Sequence, residues 1–147
     1  MDLPSYPIVV SEDGMQFEFI SIGKRGLILK RVIFTDIAGK QIYNVAFGDV
    51  IPNSNTIDDL VVTDNGDTII LLNTLMQILQ LFVEENQEAR ILISGSTSSR
   101  NRFYRMLVSK HEIQIKLTHQ IFMYFNNKWI IFQKNHALEA VLLIPIG

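Results

Sequence analysis

The chain has 147 residues, the length of one domain that can bury a sizeable core. Its composition, 48% apolar and 19% charged with a net charge of −2, excludes a disordered or low-complexity protein. Cysteine is absent, which removes disulfides, thiolate zinc sites, thiol nucleophiles and redox motifs together.

The first residues, Met1-Asp2-Leu3-Pro4-Ser5-Tyr6, show neither a basic region nor an apolar run, so no signal peptide is read and a cytoplasmic location is expected. Met15-Gln16-Phe17-Glu18-Phe19 alternates apolar with polar, the pattern of a half-buried strand. Gly23-Lys24-Arg25-Gly26 has hairpin composition and leads into a second strand over 27–34. Ala38-Gly39-Lys40 turns the chain into a third strand over 42–47, and a short fourth is expected over 60–63 after the Pro52-Asn53-Ser54-Asn55 loop.

Asn65-Gly66-Asp67 is a turn whose aspartate suits the N-cap of a helix over 68–85. That helix is apolar around most of its circumference, so it should pack against a sheet or pair with a copy of itself. Its longest apolar run, 69–83, is too short to span a bilayer and is interrupted by Asn73, Gln77 and Gln80, so no membrane association is expected. A buried strand over 89–94 leads to a second helix over 98–109. Residues 110–119 fit either a strand or a helical extension, Asn126-Asn127 joins a late hairpin, and 140–146 forms a closing strand. The fold class is α+β: one domain with a curved antiparallel sheet, an N-terminal meander of about four strands, two main helices, and a C-terminal hairpin and strand.

Charge is unevenly distributed along this chain. Residues 41–88 carry eight acids and no Lys or Arg, whereas 89–136 carry eight bases against Glu112 alone. The two halves either neutralise each other on folding or leave a basic patch for an anionic partner. The basic half opens on Gly95-Ser96-Thr97-Ser98-Ser99-Arg100-Asn101-Arg102-Phe103-Tyr104-Arg105. A Gly/Ser/Thr turn entering a helix presents backbone N–H groups to an anion, and arginine forks suit phosphate or carboxylate. Ser96, Thr97, Ser98, Arg100, Arg102, Tyr104 and Arg105 are therefore the candidate anion-binding residues. On a helical wheel Arg100 falls on the apolar face and Arg102 and Arg105 on the opposite one. A buried guanidinium needs a carboxylate, for which Asp49, Asp58 and Asp59 are the candidates. The turn lacks the Lys-Ser/Thr ending of a P-loop, so no nucleotide hydrolysis is inferred.

The carboxylates Asp58, Asp59, Asp64 and Asp67 do not match a calcium loop, and capping, turn formation and pairing with Arg100 account for most of them. His111, His119 and His136 lack ligand spacing and read as surface or satisfied histidines. No metal, cofactor or catalytic set is assigned. Phe122, Tyr124, Trp129 and Phe132 on the late hairpin read as core.

Three blocks, Asn44-Val45-Ala46-Phe47-Gly48-Asp49, Ile57-Asp58-Asp59-Leu60-Val61-Val62 with Asn65-Gly66-Asp67, and Gly95-Ser96-Thr97 with Arg100, Arg102, Tyr104, Arg105 and Met106, resemble a bacterial family of small single-domain proteins of unknown function. The resemblance covers nearly the whole chain and implies that the acidic and arginine blocks travel together, which fits their meeting in space. The leading functional expectation is a non-enzymatic anion- or nucleic-acid-binding module. The alternatives are a small enzyme or sensor that holds a phosphorylated or carboxylated molecule at Arg100 with an aspartate base, and a homo-oligomer formed through the first helix or an edge strand.

Overall fold

In the computed structural model, which describes residues 3–54, 56–58 and 64–147, the N-terminal half is a meander of β1 (Val9–Val10), β2 (Gln16–Gly23), β3 (Gly26–Asp36) and β4 (Ile42–Val50). The alternation works as period-two chemistry requires: Phe17, Phe19, Val32, Phe34, Val45 and Phe47 all point to one face and are buried. β2 and β3 close at the Gly23–Gly26 pair around Lys24-Arg25. A Cβ on Gly23 would stand 1.8 Å from the Asn65 carbonyl oxygen, so only glycine lets the loop before the first long helix press on this hairpin. That carbonyl accepts the Lys24 N–H at 3.1 Å, and Asn65 Oδ1 accepts the Arg25 N–H at 2.6 Å.

β5 (Ile57–Asp58) pairs with the end of β4. The fourth strand expected over 60–63 lies outside the described residues. α1 (Thr68–Glu85) then crosses over to β6 (Arg90–Ile93), which runs parallel to β4. By length and composition α1 is apolar enough to cross a membrane, and it lays that apolarity on the sheet: Leu72, Leu75, Ile78, Leu79 and Phe82 are all buried, with Phe82 stacked on Phe34 at 3.9 Å. Asp67 occupies the N-cap position, yet its carboxylate caps nothing. It turns inward and accepts the hydroxyls of Tyr6 at 2.6 Å and Ser21 at 2.5 Å, a buried network that outcompetes the helix N–H groups.

α2 (Ser98–Lys110) is followed at once by α3 (Glu112–Lys116), which settles the ambiguous segment as helix. Only Ile115 of its apolar residues is buried, and Glu112 pairs with Lys116 one turn on at 2.6 Å. β7 (His119–Phe125) and β8 (Lys128–Ile131) form the late hairpin, with Asn126 and Asn127 both at positive φ as a two-residue turn of that twist needs. β9 (Ala140–Pro145) inserts between β6 and β7, an interior place that local pattern does not reveal. The described strands form one open, mostly antiparallel sheet ordered β1-β2-β3-β4-β6-β9-β7-β8, with β5 beside β4. The fold is α+β.

Candidate functional site

β6 delivers the chain to the start of α2, and packing there is tight. The Gly95 N–H is accepted by Asn101 Oδ1 at 2.7 Å, which folds the turn back on the helix. A Cβ on Gly95 would lie 2.2 Å from the Cβ of Arg100, so the glycine is what lets Arg100 enter the protein. Thr97 is the N-cap and its hydroxyl accepts the Arg100 N–H at 3.2 Å.

Arg100 is 3% exposed. Its guanidinium lies 5.3 Å from the centre of the Phe47 ring, and its Nη2 donates to the Asp58 carbonyl oxygen at 3.3 Å. The arginine thus ties α2 to β4 and β5. Of its three expected acidic partners, Asp49 forms a close ion pair with buried Lys30, which also lies over Phe47 at 5.9 Å. Asp58 meets Arg100 through its carbonyl, and Asp59 lies outside the described residues. Acidic and basic blocks do meet here, around the Phe47 ring.

The outer side of α2 is different in character. Ser96, Thr97, Ser98, Asn101, Arg102 and Arg105 line one wall of a half-open groove of about 530 Å³. Phe125, Ala137, Leu138 and Glu139 line the other. Among the described residues no carboxylate pairs with Arg102 or Arg105. Thus five of the seven residues expected to hold an anion share this groove, while Arg100 and Tyr104 do not line it. Tyr104 is buried and lines a separate depression of about 320 Å³ with Asn44, Gly95 and Ser96. Phe125 was not singled out by the sequence, because its ring reaches the groove only through the pairing of β7 with β9 and the position of the 137–139 loop.

The remaining constellations resolve into structure. Asp64 pairs with Lys24 at 3.2 Å, and the Lys24 ammonium and the Gly66 N–H hold its carboxyl below the usual range. Among the described residues no three His, Asp or Glu side chains come together as a metal site. Phe132 is buried, but Trp129 is 47% exposed on β8, which departs from the core reading. His111 and His119 depart from the reading of them as surface or satisfied side chains. Both are buried, and each keeps an Nε2 with no hydrogen-bond partner among the described residues.

Comparison with curated proteins and with solved structures found no match. A family of unknown function, DUF6934, matches residues 2–145, essentially the whole chain, and the protein belongs to that family.

Proposed function

We propose that the protein is a non-enzymatic binding module for phosphate-bearing partners, single-stranded nucleic acid first among them, and that the outer groove of α2 is where it binds. The observation that carries this reading is the joint presence of Arg102, Arg105, the hydroxyls of Ser96, Thr97 and Ser98, and the exposed Phe125 ring around one groove. Two arginines that pair with no carboxylate among the described residues, beside a helix start, supply the electrostatics that hold phosphate. An exposed aromatic beside them supplies a stacking face for a base. Backbone phosphates held this way give affinity without sequence choice. Glu139 on the far wall keeps the groove from being uniformly positive, so binding should be moderate and strongly dependent on salt.

Fluorescence anisotropy with labelled single-stranded DNA and RNA over a salt series tests the reading. If Arg102 and Arg105 each neutralise one phosphate, replacing both by alanine lowers the log–log salt slope by about 1.4 and weakens binding across sequences alike. Wild-type protein that fails to bind at low salt, or a double variant with an unchanged slope, contradicts it.

A further inference from the structure

The β2–β3 hairpin is apolar on both of its faces near the turn. An antiparallel sheet covered on one side alternates apolar with polar side chains. Here α1 and α2 take the inner face, where Phe82 stacks on Phe34 and Phe103 on Phe47. On the outer face Glu18 and Arg31 form a polar pair, as that pattern requires. Towards the turn the outer positions become aliphatic: Ile20 pairs with Leu29, and Ile22 with Leu27, directly across the two strands. Each of the four is between 41% and 73% exposed. The strands thus carry the pattern of segments buried on both faces, while the described chain covers one.

Four such side chains in one block leave about 400 Å² of aliphatic surface, a patch of the size that marks an interaction site. The block is also its own complement. A two-fold axis running between β2 and β3, parallel to both, sets Ile20 over Leu29 and Ile22 over Leu27 of a second copy. The next row is an ion pair, with Arg31 Nη2 at 3.5 Å from Glu18 Oε2. The same axis sets Glu18 over Arg31 of the second copy, so four charges alternate in sign around it. Lys24 and Arg25 lie beyond the last apolar row, at the turn. There Asp64 pairs with Lys24 at 3.2 Å, and the angle of about 30° between stacked sheets spreads the two tips.

From this self-complementarity we infer that the protein forms a homodimer in which the outer faces of two β2–β3 hairpins pack sheet on sheet. A two-fold contact brings the same patch together from both copies, which is what this block matches. The two blocks bury about 800 Å². Val9, beside Glu18, and Val50, beside Leu29, extend the contact past the roughly 1,000 Å² that a specific interface needs. The arginine groove lies on the helix side of the sheet, so both copies keep it open.

Sedimentation velocity from about 1 to 100 µM tests the inference. At the upper end the wild type should sediment as a dimer of the 16.8 kDa chain. Ile20→Lys and Leu27→Lys each bring like charges together across the axis and should weaken the dimer by at least about tenfold. Ile131→Lys, at a site on the late hairpin about as exposed as Leu27, should leave it intact. A wild type that is monomeric throughout, a dimer indifferent to both hairpin lysines, or one lost in Ile131→Lys would overturn it. Should a lysine variant fail to fold, single cysteines decide, because the chain has none of its own. A short bismaleimide should link Leu27→Cys into a covalent dimer and leave Ile131→Cys monomeric; equal linking of the two, or none in either, is the contrary result.

Discussion

At the scale of single residues, the arginines of α2 divide their work by the face they occupy. Arg100 is consumed by Phe47 and the Asp58 carbonyl, whereas Arg102 and Arg105 face the groove. A helical wheel foresees that division, because one residue turns through 100° and the apolar face is defined by Phe103, Tyr104 and Leu107. The histidines are a harder case. Their burial depends on α1 and α3 closing over them, and nothing in their spacing announces it. That burial has a consequence for stability. Desolvation holds His111 and His119 below the ordinary imidazole value, so as pH falls the unfolded chain takes up protons before the folded one. The stabilisation is complete above about pH 6.5 and declines below it. Urea denaturation between about pH 7.5 and pH 5.5 should show wild type losing more stability than His119→Asn. Identical losses would show that this imidazole is not linked to folding.

At the scale of elements, the junction of β6 with α2 is set by one missing methyl group. Gly95→Ala places a Cβ 2.2 Å from that of Arg100, and both atoms sit close to rigid backbone. Overpacking of this kind costs about 1–3 kcal/mol, so the variant should unfold several degrees below wild type in a thermal melt. A melt at the wild-type temperature would mean that the junction relaxes freely. Most elements were legible from the chain itself. α1 runs over the residues its apolar run and flanking turn mark, and the hairpins at Lys24-Arg25 and Asn126-Asn127 fall where turn chemistry puts them. The exceptions share a cause. β9 slots between β6 and β7, β4 runs parallel to β6, and β1 is two residues long, and each depends on partners far away in sequence. Asp67 is a further instance: it stands where an N-cap should, but Tyr6 and Ser21, distant in the chain, claim its carboxylate.

At the scale of the molecule, the uneven charge along the chain has two outcomes. Part of it is neutralised inside, where Lys30, Asp49 and Arg100 gather about Phe47. Another part stays outside on α2, and the hydroxyl-lined turn and Phe125 surround it. The sequence locates the arginines and the turn but not the opposite wall of the groove, which comes from the β7–β8 hairpin and the loop before β9. The most direct test of the groove as the binding surface is a ¹H–¹⁵N titration of the protein with a thymidine oligonucleotide of about eight nucleotides at low salt. The expected perturbations are confined to the backbone amides of Ser96, Thr97, Ser98, Asn101, Arg102, Arg105 and Phe125, with those of His111 and His119 unchanged. Perturbations centred elsewhere, or none at saturating oligonucleotide, would contradict the account.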